Sequence, residues 1–283
     1  MKIAATVILY YPDENVIENI LSYVNSVEKW YLVDKMETPS KLITDNLKRF
    51  TGAVYIHDGE NQGIAARLNH VSNLASEDGF DWLLTMDQDS SFGGNTFINY
   101  LNCFTSFENK GNVSLFGQHH VKESDDLDVC NAVNVNHLIT SGSVLNLRLV
   151  NEIGGFDEKL FIDEVDFEYC LRSVAKGFGI IQFTNIFLTH NLGQTSQHRS
   201  FKTTKLTSRV LHSPVRMYYM TRNFLYVETK YRHSFPDEIN LRRKVLFNRI
   251  KNNILYNKER FKVINDALKG FRDYKKNKFG KLE

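Results

Sequence analysis

Two carboxylates one residue apart, Asp87 and Asp89, close an apolar run that begins Asp81-Trp82-Leu83-Leu84-Thr85-Met86. Like charges this close repel, and either would resist burial without a positive partner. Two readings fit the fragment. The run ends in a solvated turn, where Asp and Ser are ordinary, or it ends at a divalent cation. Mg²⁺ and Mn²⁺ favour carboxylate oxygens and water, and one or two carboxylates plus substrate phosphates commonly hold them. Alternate residues of an extended chain face the same way, so both acids can address one ion. His190, at the end of another apolar run, either adds an imidazole nitrogen or is structural. A second acidic set, Asp163-Glu164-Val165-Asp166-Phe167-Glu168, opens a helical pattern. Its acids either complement a helix N-terminus or supply a general base that accepts a hydroxyl proton.

These residues need elements to position them. Residues 3–10 are apolar and β-branched and stop at Pro12-Asp13, which predicts a buried strand and a turn. Val16, Ile17, Ile20, Leu21 and Val24 follow at helical spacing. Strands are predicted at 30–35, 53–58 and 81–86, with helices at 42–50 and 66–79 between them. Strands alternating with helices imply parallel βαβ units and an open α/β sheet. In such sheets ligands bind outside the carboxyl ends of the strands, and Tyr10, Asp34, Asp58 and the Asp87/Asp89 pair all fall at those ends. Further on, a strand at 141–147, helices at 147–155 and 163–177, and a strand at 180–190 are expected.

The chain of 283 residues is 42% hydrophobic and 24% charged, as in an ordinary globular protein. A net charge of +2 hides an uneven distribution. The segment 241–283 is dense in Lys and Arg with apolar residues at helical intervals, and it either lies on an anionic membrane surface or packs on the rest of the protein with a solvated basic face. No zinc motif or aromatic-interleaved basic patch points to nucleic acid. The three cysteines are widely spaced and form no CxxC pair, so neither a zinc site nor a disulfide framework is expected, and a reducing, cytoplasmic setting fits. The apolar run at the N-terminus is too short for a signal peptide, and no 18-residue apolar stretch predicts a membrane span.

Taken in order, ILYYPD (8–13), LVDK (32–35), NQGIAARLN (61–69), DQDSS (87–91), ITSGSVLN (139–146), GGFDEKLFIDEVDFEYCLR (154–172), THNLG (189–193) and SPVRMYYMTRN (213–223) resemble the motifs of the inverting glycosyltransferase family 2, in its rhamnosyltransferase-like subset. The resemblance spans roughly residues 3–225 and implies the GT-A nucleotide-diphospho-sugar transferase fold: α/β, an open, mostly parallel sheet flanked by helices, here with a C-terminal helical extension. It implies a catalytic domain at 1–225 and a basic helical region at 226–283.

By this resemblance Tyr10 packs on the nucleotide base, Asp34 bonds the base or ribose, and Asn61, Gly63 and Asn69 lie beside the donor. Asp87 reaches the ribose or the metal, Asp89 and His190 ligate the metal (Mg or Mn), and Ser141 and Gly142 line the sugar pocket. Asp166 is the general base, and Arg172, Arg216 and Arg222 contact the acceptor or the diphosphate. Leu9 and Tyr11 stand where threonine and asparagine are usual, Lys35 where asparagine is, and Val165 where glutamate is common. The implied reaction is inverting transfer of rhamnose from dTDP-rhamnose to a hydroxyl of a glycan or lipid-linked glycan, in cell-surface polysaccharide synthesis at the inner face of the membrane. A UDP-galactofuranose or UDP-hexose donor is the alternative. A D-x-D phosphatase fits less well, because its aspartate pair should follow the first strand and here three βα units precede it. A non-catalytic sugar-nucleotide binder has no need of Asp166.

Overall fold

Strand β1 (Ile3–Leu9) is buried along almost its whole length, so it must lie inside a sheet covered on both faces. It does. The computed structural model, which describes residues 1–50, 52–119, 130–190, 195–199 and 206–282, places β1 between β2 (Lys29–Asp34) and β4 (Trp82–Asp87), parallel to both. Beyond β2 lies β3 (Ala53–His57), again parallel. The helices α1 (Asn15–Leu21), α2 (Lys41–Asn46) and α3 (Gly63–Glu77) make the crossovers. This half follows the expected βα alternation.

On the other side of β4 the sheet becomes mixed. After the short β5 (Ser90–Ser91) and α4 (Thr96–Ser106) come β6 (Val113–His119), β7 (Ala132–Asn134), β8 (Ser143–Asn146), α5 (Leu147–Ile153), α6 (Val165–Ala175) and β9 (Gly179–Phe187). The eight-stranded order is β3-β2-β1-β4-β8-β6-β9-β7. Strand β8 is antiparallel to both neighbours, β6 and β9 are parallel, and β7 closes the edge antiparallel to β9. The apolar run at 180–190 is two strands rather than one: β9 ends at Phe187, and β10 (Thr189–His190) leaves the sheet to pair with β5. An aromatic core that includes Trp30, Phe97, Tyr100, Phe104, Phe116 and Phe183 fills one face.

The chain divides into two compact units: Met1–Glu158 with Val165–Asn191, and Lys159–Glu164 with Leu192–Glu283. The second holds the hairpin β11 (Thr195–Arg199) and β12 (Leu206–Val210), and the helices α7 (Pro214–Tyr231), α8 (Pro236–Tyr256) and α9 (Arg260–Lys275). Helix α7 starts cleanly because Ser213 caps it, its hydroxyl accepting from the Arg216 N–H, with Pro214 in the first turn. Helix α9 packs close against it at Gly270, where a Cβ would meet the Tyr218 carbonyl oxygen at 2.5 Å.

The cysteine expectation is overturned. Cys103 on α4 and Cys130 are joined in a disulfide across 27 residues, and only Cys170 is free and buried. Pairing is decided by which segments the fold brings together, which spacing alone does not reveal. The inference of a reducing compartment from cysteine usage falls with it. Among the described residues, no helix is long and apolar enough to cross a membrane.

Candidate active site

The carboxyl edge of the parallel strands carries the predicted donor residues in the first unit. Asp87 ends β4 in register with Ile8 of β1. Its backbone N–H donates to the Ser141 hydroxyl at 3.1 Å, and that hydroxyl in turn bonds Ser90 Oγ at 2.8 Å. Ser141 thus shapes the turn that carries the two acids. Next to it Gly142 has a φ of +75°, and a Cβ there would fall 2.5 Å from the Gln118 amide, so only glycine fits.

Gln88, between the two acids, does something the sequence did not announce. Its side chain accepts from the Tyr10 N–H at 2.7 Å and donates to the Tyr10 carbonyl at 3.0 Å. Its own carbonyl accepts from the Asn19 amide of α1 at 3.0 Å. The middle residue of D-x-D therefore clamps the end of β1 in both directions. The Tyr10 ring stays 45% exposed, with the Lys35 ammonium 4.8 Å from its centroid and Tyr11 edge-on. An exposed aromatic face held by its backbone is a platform on which a flat ring can stack.

Asp34, at the end of β2, is almost fully buried. Its carboxylate accepts from the N–H groups of Met36 and Ser40, each at 2.9 Å, and from the Tyr55 hydroxyl at 2.6 Å. Burial and this carboxylate push the Tyr55 phenol well above its usual range. Asp34 therefore fixes the 35–40 loop, and with it Lys35.

Asn61 accepts from the Gly63 N–H at 3.1 Å and so starts α3. Farther along that helix Asn69 grips the Gly-Gly-Phe-Asp-Glu turn: its amide donates to the Phe156 carbonyl and the Glu158 carboxylate, and its oxygen accepts from the Phe156 N–H. Arg67, two residues earlier and 2% exposed, donates to the Asp58 carboxylate and the Glu60 carbonyl. Its hydrogen bond holds the Asp58 carboxyl below the usual range.

Asp87 and Asp89 offer hard oxygen donors at the edge, and β10 sets His190 opposite Ser90, one residue from Asp89. The imidazole of His190 lies outside the described side chains. Among the described residues no three His, Cys, Asp or Glu side chains converge. Two carboxylates suit Mg²⁺ or Mn²⁺, whose shell water and phosphate oxygens ordinarily complete. The buried Tyr23 phenol nearby is raised by its burial and by the Asp87 charge.

Asp166 stands in the first turn of α6, partly exposed, with one oxygen accepting from the Phe167 N–H at 2.8 Å. On the same helix Arg172 is committed inward, to the buried Glu168 carboxylate and the carbonyls of Ile153 and Gly155.

In the second unit Arg222 is 1% exposed and donates to the carbonyls of Lys159, Leu160 and Gly280. Asn223 beside it donates to the carbonyls of Leu160, Ile162 and Asp163. Arg216 is half exposed and paired with Asp163. These three side chains hold the 159–164 segment, where Phe161, Asp163 and Glu164 have φ of 63°, 63° and 64°. Left-handed backbone at non-glycine residues costs about 1–2 kcal/mol each, so it persists only when the surroundings enforce it.

No family model matches the chain. A curated relative, the dTDP-rhamnosyl transferase RfbF of Shigella flexneri, is 26% identical over 300 residues, covering 95% of this chain and 96% of its own. Among solved structures, S. aureus TarS 1–349 in complex with UDP-GlcNAc aligns over 97% of this chain and 81% of its own, with a TM-score of 0.55 and 14% identity. GalNAc-T7 with UDP, GalNAc and Mn²⁺ aligns over 98% of this chain and 56% of its own, with a TM-score of 0.59 and 9% identity. The structural likenesses carry the fold and the end-to-end relative carries the activity: the chain is a glycosyltransferase of the GT-A fold.

Proposed function

We propose that the chain transfers rhamnose from dTDP-rhamnose, with inversion, to a hydroxyl of a glycan or lipid-linked glycan in cell-surface polysaccharide synthesis. The observation that carries the sugar is the end-to-end likeness to a dTDP-rhamnosyl transferase. In this reading the thymine stacks on Tyr10, held by Gln88, with Lys35 beside it and Asp34 behind it. The donor runs past the start of α3 at Asn61 and Gly63, and Ser141 and Gly142 shape the sugar pocket. Asp87, Asp89 and His190 would hold a divalent ion, which when bound supplies Lewis-acid stabilisation of the diphosphate leaving group. Asp166 takes the proton of the acceptor hydroxyl. The freed oxygen attacks the anomeric carbon opposite the leaving group, the bond from that carbon to the phosphate oxygen breaks, and its electron pair leaves with dTDP. One displacement inverts the configuration.

The helices of the second unit expose Phe247, Phe261, Leu268 and Phe271 at 63%, 75%, 55% and 44%, among Lys244, Lys251, Lys262, Arg272 and Lys275. Apolar side chains flanked by cations suit the interface of an anionic bilayer. This composition supports peripheral attachment at the membrane. Sedimentation with vesicles tests it, and equal pelleting with neutral and anionic lipid overturns it.

The donor is tested by thermal shift with dTDP and UDP, each with and without Mn²⁺. At about 100 times its dissociation constant a ligand stabilises by roughly 2.7 kcal/mol. Metal-dependent stabilisation by dTDP is expected. Stabilisation by UDP alone moves the donor to UDP-galactofuranose or a UDP-hexose.

A further inference from the structure

The second unit concentrates arginine around two acids. Asp163 bonds Arg216 of α7, and Glu164 accepts from Arg242 Nε at 2.9 and 3.0 Å. Arg249 lies on α8 seven residues after Arg242, so about two turns apart on one face of the helix. His212 is tied to the same helix: its N–H donates to Asn253 Oδ1 at 2.9 Å, and its carbonyl accepts from Asn257 Nδ2 at 2.9 Å. Arg242, Asp163, Glu164 and Arg216 all act electrostatically on Arg249, and among these described groups guanidinium groups outnumber carboxylates three to two.

Arg249 is the unbalanced member. Among the described residues its half-buried guanidinium donates no hydrogen bond, whereas Arg216 and Arg242 are each bonded to an acid. A guanidinium brings five donors in a planar fork, and those of Arg249 are not among the buried polar atoms left without a partner, so they stay within reach of solvent and of an anion. Burial and repulsion by Arg242 hold its pKa below the ordinary value, against the opposing pull of Asp163 and Glu164. His212, neutral at pH 7 because burial and the arginines depress it to about 4, can accept or donate a hydrogen bond without adding charge. A forked cation short of an acceptor, with two further arginines and a neutral imidazole around it, matches a phosphoryl group.

We propose that Arg249, with His212, Arg216 and Arg242, binds a phosphate-ester anion carried by the acceptor. This rests on the proposed function, which supplies the acceptor. In the sequence Asp163 and Glu164 precede the proposed base, Asp166, by three and two residues. The phosphate belongs either to the acceptor itself, as an ester joining lipid to glycan, or to a bilayer phospholipid. Both share the chemistry, and the assignment to the acceptor is the claim.

The full-length chain is titrated with inorganic pyrophosphate in the presence of a metal chelator, as wild type, Arg249→Gln, Arg249→Lys and Arg216→Gln. Saturable binding is expected, weakened at least tenfold by Arg249→Gln, partly restored by Arg249→Lys, and weakened less by Arg216→Gln. Metal-dependent dTDP stabilisation should be the same in wild type, Arg249→Gln and Arg249→Lys, which separates this site from the donor edge. No binding to wild type, or equal binding by Arg249→Gln, overturns the site. If Arg249→Gln fails to fold, the Arg249→Lys and Arg216→Gln titrations decide: wild-type affinity in both overturns it. In the second arm the same proteins are sedimented with phosphatidylcholine vesicles containing phosphatidic acid. Loss of vesicle binding without loss of pyrophosphate binding assigns the cluster to the bilayer and overturns the acceptor claim. The pyrophosphate and vesicle readouts need neither sugar transfer nor dTDP, so failure of the rhamnose reading leaves them intact.

Discussion

The carboxyl edge of the sheet and the 159–164 segment both hold carboxylates under constraint, by different means. At the edge, neutral donors satisfy Asp34, through two backbone N–H groups and a tyrosine hydroxyl, and shape the turn bearing Asp87 and Asp89 through Ser141 and Gln88. Asp58 there pairs with an arginine, Arg67. In the segment, Asp163 and Glu164 are each paired with an arginine, on left-handed backbone. Under the proposals above, one region takes a cation and the other an anion. A transfer enzyme needs both, because the leaving group gathers negative charge while the acceptor must be held near a base.

The largest expected effect falls on the residue that follows the segment. Asp166→Asn should lower the rate of transfer by about 10²–10⁴-fold, the usual worth of general-base assistance, while metal-dependent nucleotide stabilisation stays near wild type. Transfer at the wild-type rate removes Asp166 from the role of base. Next in size is Asn223→Ala. Three carbonyls of the strained segment lose their shared donor, and a buried polar group left unsatisfied costs about 1–3 kcal/mol. Denaturant unfolding should report a loss of that order with the m-value unchanged. A loss near zero means that the arginines alone hold the left-handed backbone.

The two regions also differ in how far the sequence discloses them. The edge is written locally. Each strand is a short β-branched run, each ends in an acid or an aromatic, and the alternation with helices puts those ends together, so the strand ends that carry Asp34, Asp87 and Asp89 are legible in the sequence. Motif order carried Asp166 onto a helix start. What stayed hidden depends on contacts between distant segments. The role of Gln88 rests on a backbone 78 residues away. The mixed half of the sheet follows from β8 inserting between β4 and β6, which an apolar run cannot foretell. Cys103 and Cys130 look unrelated until α4 and the chain before β7 meet. Arg172 and Arg222 read as ligand contacts, and the structure turns both towards backbone carbonyls. Arg249 carries no motif; only the company of Arg242, Arg216 and His212 distinguishes it.

Gln88→Ala sharpens the edge side of the comparison. It removes both side-chain bonds to Tyr10, worth about 1 kcal/mol each, and leaves every acid in place. The expected result is a rise in donor KM of up to about thirtyfold, since 1.4 kcal/mol is a factor of ten, with kcat moved much less. If kcat falls and KM holds, the clamp positions the acids rather than the base platform.

The smallest effect tests the other side. Burial, then the charges of Arg249 and Arg216, lower the His212 pKa from 6.5 to about 4, with Asp163 opposing them. The folded pKa lies below the unfolded one, so between those values the unfolded chain binds more protons than the folded chain. The contribution is therefore complete above about 6.5 and lost as the pH falls towards about 4. Asp58 and Asp78 are lowered from 3.8 and titrate below this window, so they do not imitate it. Melting temperature against pH should decline across the window for the wild type and decline less for His212→Asn. Saturating pyrophosphate should flatten the wild-type curve, because an anion among the arginines offsets the repulsion felt by a protonated imidazole. If pyrophosphate flattens the curves of the wild type and Arg249→Gln equally, the anion reaches His212 without Arg249, and another member of the cluster holds it.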